Sequence, residues 1–501
     1  MRKLFLAAAC AATMLSGAAH AQTLRIALRE DPDILDPTLA RTYVGRIAFA
    51  GLCDKLFDIN EKLEIVPQLA LSYEWTDPTN LVIKLRPGVE FHDGEKLDAA
   101  AVKYSLERHL NMAGSFRRSE IGVMDRVEVV DPLTLRIVLK TASSPFVSQL
   151  TDRAGMIVSP KAAEAAGKDF GLKPVCAGPF RFVERVPQDR IVLERFPEYW
   201  DAGSIKLERV VYQPIPDSSI RLANLQAGSV ELSEQILPTD ADAVRNNPKL
   251  RLVTSDYLGY WGITINLANG PLAKTPLGSD ARVRQAFELS LDKATIAQVV
   301  YNNIYTPLAQ ALSPSSPYYD VAIQPRERDV ARAKALLKEA GVTLPVPVAL
   351  TVPNNPDQRQ VGEIVQAMAA EAGFDVRITA SEYASALAAA TRGDFEAFST
   401  GWSGRVDPDG NLYSFMHSGG ALNDGKYANP KVDALLDQTR IVQDVAGRRA
   451  LFDQILEQTR QDLPILYLYN PKNVVGMSAR VTGFRPVPDG MIRLQGVSLA
   501  K

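Results

Sequence analysis

A regular alternation of strand and helix patterns runs through the second half of the chain. Strand patterns at 346–352, 374–378 and 395–400 alternate with helix patterns, and the helix pattern at 357–372 is followed at once by Gly373. A glycine directly after the last apolar position is typical of a helix end. Alternation of this kind requires a sheet with helices packed on its faces, so it predicts an α/β fold.

The first half of the chain is richer in strands. An alternating strand is predicted at 23–28, and short strands separated by turns are predicted between 63 and 139, with Asp98 as the N-cap of a helix over 99–109. The continuous apolar and aromatic run 257–267 indicates a central strand that is buried on both faces. No Gly/Ser-rich or Pro-rich linker separates the halves, which favours lobes joined by crossing strands.

The N-terminus carries the pattern of an export signal. Arg2 and Lys3 form a basic region, 4–15 is apolar, and Ala19-His20-Ala21 is a small-x-small cleavage site before Gln22. An apolar run of about 12 residues is too short for a membrane anchor, which needs about 20. We therefore expect export to the periplasm and cleavage after Ala21.

Charge and histidine content exclude two classes of partner. The chain has 56 Lys and Arg against 58 Asp and Glu, and loss of the leader removes Arg2 and Lys3. Nucleic-acid binding requires a basic surface, so it is not expected. The four histidines have no spacing that would place two of them on one metal ion, and we expect neither a metal nor a cofactor.

Two cysteines, Cys53 and Cys176, remain after cleavage. An exported protein with one pair of cysteines favours a disulfide between them. The alternative is two buried thiols that pack as small apolar side chains.

Recognised catalytic motifs are missing from the sequence. It has no G-x-S-x-G, H-E-x-x-H, Walker or G-x-G-x-x-G pattern. We therefore expect a binding protein and not an enzyme. An exported hydrolase or a peptide-holding folding factor on the same scaffold is the alternative.

The segment 401–415, directly after the strand pattern 395–400, is the main candidate for a ligand site. Loops at the carboxyl ends of strands form the ligand crevice in α/β sheets. Arg405 is expected to clamp a carboxylate and Trp402 to form an apolar wall. Alternatively, 407–410 is only a turn followed by a helix cap. The full candidate ligand-binding set is Trp402, Arg405, Asp407, Tyr413, Trp261, Tyr260 and Tyr43.

Several sequence stretches resemble one known family. These stretches are 85–97 (LRPGVEFHDGEKL), 102–108 (VKYSLER), 177–180 (AGPF), 198–200 (EYW) and 283–287 (VRQAF). Together they resemble the family 5 extracytoplasmic solute-binding proteins, the peptide, nickel and related receptors of ABC importers. The resemblance covers nearly the whole mature chain.

The resemblance implies a two-lobed clamp with an extra strand-rich subdomain in the first lobe. Lobe one would take 22–263 and include the subdomain at about 60–172, lobe two would take 264–473, and the tail 474–501 would return to lobe one. Such a protein captures a small peptide or amino-acid-derived solute between its lobes and delivers it to an inner-membrane permease. We expect it to act as a monomer.

One position departs from the peptide-binding members of that family. In those members an aspartate after the tryptophan holds the free amine of the ligand, whereas Arg405 stands at the corresponding place here. Either Asp407 takes over the amine, or the ligand presents an anion, as an opine, a modified amino acid or a glutathione-like peptide does.

Overall fold

The computed structural model describes residues 22–500; the predicted leader and its cleavage site lie outside this range. Two large sheets, each covered by helices, form the two lobes, and a smaller antiparallel sheet belongs to the first lobe. Within 22–500, no helix has both the length and the apolar character needed to cross a bilayer.

The first lobe is built on a seven-stranded sheet. In spatial order its strands are Leu250–Ser255, Asn473–Ser478, Leu232–Ser233, Thr23–Leu28, Arg209–Pro214, Arg190–Arg195 and Phe180–Val186. The predicted strand 23–28 is confirmed and occupies the middle of this sheet, parallel to both neighbours. Its helices include Tyr43–Leu52, Pro160–Ala166, Ser218–Ala227 and Ala241–Arg245.

The second lobe is built on a six-stranded sheet. In spatial order its strands are Thr306–Pro307, Ile465–Asn470, Tyr260–Ile265, Ala397–Trp402, Val346–Pro353 and Phe374–Ser381. Its helices are Pro276–Ser279, Ala281–Leu289, Lys293–Tyr301, Val330–Ala340, Pro356–Ala372, Tyr383–Arg392, Asp409–Met416, Pro430–Ile441 and Val445–Asp462. The predicted α/β alternation is confirmed here, and its apolar faces form a core separate from that of lobe one.

The subdomain of the first lobe contains a four-stranded antiparallel sheet with its own core. Its strands, in spatial order, are Ala70–Asp77, Asn80–Leu85, Thr134–Leu139 and Met124–Asp131, and its helices are Ala99–Asn111, Arg118–Ile121 and Phe146–Gln149. The longest helix begins as predicted, because the Asp98 side chain accepts a hydrogen bond from the Ala101 N–H. Two short ladders pair Phe57–Ile59 with Ile65–Pro67 and Val481–Thr482 with Ser498–Leu499.

The chain passes between the two large sheets at two adjacent places. It leaves the first sheet after Ser255 and enters the second at Tyr260, then returns between Asn470 and Asn473. Asn470 ties the two crossings together, because its side-chain amide donates to the carbonyls of Tyr257 at 2.9 Å and Gly259 at 2.7 Å. The strand predicted over 257–267 is shorter, Tyr260–Ile265, and the segment that crosses between the sheets before it is irregular. We propose the lobe boundary at 256–259.

Cys53 and Cys176 form a disulfide in the first lobe, with their Cα atoms 4.9 Å apart. Cys53 directly follows the helix Tyr43–Leu52, and both cysteines are buried in the core of the lobe. The bond therefore connects the start of the chain to the segment that leaves the subdomain.

Candidate functional site

The central strands of the first lobe end at the edge that faces lobe two. Thr23–Leu28 runs parallel to Arg209–Pro214 and Leu232–Ser233, so all three strands end at the same edge of the sheet. Arg29 and Glu30 come directly after the first of them. Loops at this position in an α/β sheet are where ligands bind.

The second lobe presents the equivalent edge. Val346–Pro353 runs parallel to Phe374–Ser381 and to Ala397–Trp402. Glu382 and Tyr383 follow the second of these strands and line a cavity together with Arg29 and Glu30 of lobe one. The carboxyl ends of the parallel strands therefore face one another across the cleft.

A central pocket lies between these two edges. Its lining residues are Arg29, Glu30, Arg41, Tyr43, Tyr257, Trp261, Tyr383, Gly401, Trp402 and Ser403. In this closed arrangement of the lobes it encloses only about 20 Å³, and a side chamber of about 230 Å³ shares Arg29, Glu30 and Tyr383 with it. Half of these lining residues are aromatic, and three of them, Arg29, Glu30 and Arg41, are charged.

Arg29 is held in place by lobe one. Its guanidinium carbon lies 4.7 Å from the centre of the Tyr43 ring, and its Nε lies 3.6 Å from Glu234 Oε1. Burial lowers the pKa of Arg29, but the carboxylates of Glu234 and Glu30 raise it by more than burial lowers it. The pKa of Arg29 is therefore well above its usual value. Arg29 therefore remains a cation at the mouth of the pocket.

Helix N-termini add positive potential at the same place. Four helices begin at or beside residues that line the central pocket or its side chamber: Tyr43–Leu52, Ser218–Ala227, Pro356–Ala372 and Tyr383–Arg392. The positive ends of helix dipoles favour anionic groups. The carboxylates of Asp217 and Glu382 cap two of these helices, so Arg29 is the main positive group for the carboxylate of a small ligand.

Four of the predicted site residues line the cleft. Tyr43, Trp261 and Trp402 lie on the wall of the central pocket, and Tyr260 lines an adjoining cavity that Trp402 shares. Trp261 is fixed by a hydrogen bond from its indole N–H to Ser399 Oγ at 3.0 Å, and Trp402 by one to Asn411 Oδ1 at 3.0 Å. Both indoles are thus held rigidly as walls.

Arg405 occupies a different position from the one expected. It is 8% exposed, and its guanidinium carbon lies 4.3 Å from the centre of the Trp402 ring. Its Nε lies 3.2 Å from Asp152 Oδ2, a carboxylate of lobe one. Gly404, at φ +81°, packs on the Leu258 backbone and turns the chain towards this partner. Arg405 therefore pairs with the protein across the cleft and lies behind the tryptophan wall.

Asp407 and Tyr413 also lie away from the central pocket. Both carboxylate oxygens of Asp407 accept hydrogen bonds from Arg448 at 2.8 Å, which gives Asp407 a partner within lobe two. Tyr413 stacks on His417, with ring centres 4.4 Å apart. The alternative reading of 407–410 as a turn before a helix fits the contacts better, since Asp409–Met416 begins there.

Tyr413 lines a larger cavity of about 850 Å³, which lies between the lobes on the side of the subdomain. Arg41 separates this cavity from the central pocket: its Nη2 lies 2.6 Å from Asp424 Oδ2, and its guanidinium stacks on Phe116. We favour the central pocket together with its side chamber as the ligand site, because charged groups and rigid indoles converge there.

Arg29, Glu30, Arg41, Tyr257 and Tyr383 are pocket residues that sequence reasoning missed. Arg29 and Glu30 had a usable signal, since they follow a predicted strand, as Trp402 does. Among the described residues, no cluster of three His, Cys, Asp or Glu is arranged to hold a metal ion.

Comparison with known proteins identifies the family. Residues 64–423 match the family described as bacterial extracellular solute-binding proteins, family 5, middle. The chain belongs to this family. It is the extracytoplasmic solute-binding component of an ABC importer, and the two-lobed fold is the one expected from the sequence resemblance.

Similar proteins with named ligands extend the comparison. The glutathione-binding protein GsiB of Pectobacterium atrosepticum is 31% identical over 481 residues, which are 93% of this chain and 92% of that protein. The periplasmic binding protein DppA of Helicobacter pylori, solved with the peptide STSA, has a TM-score of 0.88 at 25% identity and covers 96% and 98% of the two chains. The binding protein AgaA of A. tumefaciens R10, solved with agropinic acid, has a TM-score of 0.87 at 25% identity and covers 96% and 99%.

Proposed function

We propose that this protein captures a small amino-acid-derived or peptide-like solute that carries a carboxylate, holds it in the central pocket and its side chamber, and delivers it to an inner-membrane ABC permease. The observation that carries the proposal is the position of Arg29, a partly buried cation on the rim of a narrow, aromatic pocket between the lobes. A glutathione-like peptide is the first candidate, because a relative 31% identical is a glutathione-binding protein.

The shape of the site favours a short ligand. The central pocket and its side chamber together are small, and the ion pair of Arg41 with Asp424 closes the side towards the larger cavity. A ligand that bridges the lobes stabilises the closed state by its contacts with both of them. Binding alone accounts for such a site, and no bond of the solute needs to be broken.

Calorimetric titration of the purified protein with glutathione, Ala-Ala, Ala-Ala-Ala and agropinic acid tests the ligand class. We expect at least one to bind and to raise the melting temperature, with no product detected by mass spectrometry. Arg29→Gln should weaken that ligand by about 30-fold or more, because it removes one partner of a buried charge pair. No binding by any of the four compounds, or release of a product, would contradict the proposal.

We further propose that the exported protein begins at Gln22 and acts as a monomer. The predicted leader supports the first point, since 4–15 is too short to remain as an anchor. N-terminal sequencing of protein recovered from the periplasm should yield Gln22, and light scattering should give the mass of one chain. Retention of Met1 or a dimer mass would contradict these two statements.

A further inference from the structure

Glu30 is a buried carboxylate in the ligand pocket with an unused oxygen. The residue is 9% exposed, lines both the central pocket and the side chamber, and its Oε1 accepts no hydrogen bond from any residue in 22–500. A buried carboxyl oxygen without a hydrogen-bond partner is costly, so native proteins rarely keep one without a reason.

The neighbouring arginine does not satisfy this carboxylate. Arg29 is directed to Glu234, whose Oε1 also accepts a hydrogen bond from the Arg29 backbone N–H at 3.0 Å. Glu30 is therefore free to accept a donor from the cavity side.

The charges that face Glu30 are mainly negative. Asp33 belongs to the same loop, Glu234 follows the strand Leu232–Ser233, and Glu382 precedes the helix Tyr383–Arg392. Arg29 is the cation that acts most strongly on this carboxyl, and Arg41, which is paired with Asp424, also lines the central pocket. Because like charges disfavour one another at short range, this corner of the pocket favours an additional positive group.

We infer that Glu30 binds the ammonium group of the ligand, so that the receptor selects solutes with a free amine and a carboxylate. The inference rests on the proposed function and adds a chemical requirement to it. Arg29 and the helix N-termini would take the anionic end of such a zwitterion and Glu30 its cationic end. The amine partner thus comes from lobe one and not from Asp407 of lobe two, the candidate that the sequence predicts.

A proton balance follows from this arrangement. Burial first, then the like charges of Glu234, Glu382 and Asp33, raise the pKa of Glu30 to about 8, although Arg29 lowers it. At pH 7 the empty pocket therefore holds Glu30 mostly protonated. An arriving ammonium group favours the carboxylate, so close to one proton should be released for each ligand bound.

Pairs of ligands that differ only at the amine test the inference. The parent protein and Glu30→Gln are titrated with glutathione, Ala-Ala and Ala-Ala-Ala and with the N-acetyl form of each. For the parent we expect N-acetylation to weaken binding by about 30- to 3,000-fold, the effect of removing one partner of a buried charge pair. Glu30→Gln should bind the free-amine ligand more weakly by a similar factor. It should then bind the free-amine and N-acetyl forms with equal affinity.

Glu396→Gln is a matched control. Glu396 is also buried with an unpartnered Oε1, but its other oxygen accepts from the Ala349 N–H, and it does not line the pocket. This variant should keep the parent's preference for the free amine. The proton count comes from calorimetry at pH 7 in phosphate and in Tris, and Glu30→Gln should abolish the difference between the buffers.

The outcomes separate the two proposals. Equal affinity of the parent for both members of a pair, or parental affinity in Glu30→Gln, overturns the role of Glu30 and leaves the proposed function standing. Failure of the parent to bind any of the four compounds that test the proposed function overturns the ligand class, and the inference falls with it.

Discussion

Arg405 of lobe two and Asp152 of lobe one form an ion pair across the cleft, with Nε and Oδ2 3.2 Å apart. Arg46 pairs with the same carboxylate from lobe one and also donates to Ser403 Oγ at 2.9 Å. Burial alone would raise the pKa of Asp152, but Arg405, Arg46 and Arg153 together lower it well below its usual value. This contact between the lobes can exist only when they are closed.

The first prediction concerns this pair. Arg405→Gln and Asp152→Asn should each weaken ligand binding by about 10- to 100-fold, because each removes an interaction that exists only in the closed state. Titration calorimetry gives the affinities, and small-angle scattering should show a smaller degree of closure at saturating ligand.

The two variants distinguish a latch from a ligand contact. If Arg405 touched the ligand directly, Asp152→Asn would free the guanidinium and preserve or strengthen binding, while Arg405→Gln would abolish it. Opposite effects of the two variants would therefore restore the original expectation for Arg405.

The second prediction assigns Asp407 to folding. Asp407→Asn should lower the free energy of unfolding by about 2–3 kcal/mol, because it weakens a largely buried bidentate pair with Arg448. Ligand affinity should stay at the parent's value, and Arg448→Gln should behave in the same way. A tenfold loss of ligand affinity with an unchanged free energy of unfolding would show instead that Asp407 contributes to ligand binding.

The third prediction concerns the disulfide. Cys53 and Cys176 are 123 positions apart in sequence, and closing so long a loop stabilises the folded state by about 4–5 kcal/mol in the chain-entropy model. In denaturant unfolding with dithiothreitol present, the unfolding midpoint of the parent should fall to that of a Cys53→Ala/Cys176→Ala variant. The affinity for the ligand should change little, since neither cysteine lines the pocket. Alkylation of both thiols under non-reducing conditions would refute the bond.

The local sequence pattern was sufficient to predict most helices and strands, but it was not sufficient to predict the contacts of the candidate site. The helix Pro356–Ala372 forms within one residue of its predicted bounds, because Asn355 caps its start and Gly373, at φ +104°, ends it. Nothing local could reveal that Arg405 meets Asp152, since the contact depends on how two separately folded lobes close. The aromatic walls at Trp261 and Trp402 were predictable because they belong to strands whose ends face the cleft.

Glu30 illustrates the same limit. A glutamate in a polar loop after a strand is usually solvated, and its sequence context gives no sign of burial. Only the approach of Glu382 from the other lobe and of Glu234 from a distant strand creates its unusual environment. The charge of a site built between lobes is therefore a property of the closed structure.

The last prediction follows from the raised pKa of Glu30 in the empty protein. A carboxyl with a pKa of about 8 when folded and 4.5 when unfolded binds its proton more tightly in the folded state. Stability should therefore fall as pH rises from about 4.5 to about 8, the opposite of the behaviour of a carboxylate in a salt bridge. Glu30→Gln removes this contribution, so the variant and the parent should be similar at pH 5. At pH 8.5 the variant should be the more stable, by roughly 2–4 kcal/mol. The difference between the two unfolding free energies isolates Glu30, because every other titrating group is common to both proteins. A difference that does not depend on pH would mean that Glu30 ionises normally, and it would remove the basis for the expected proton release.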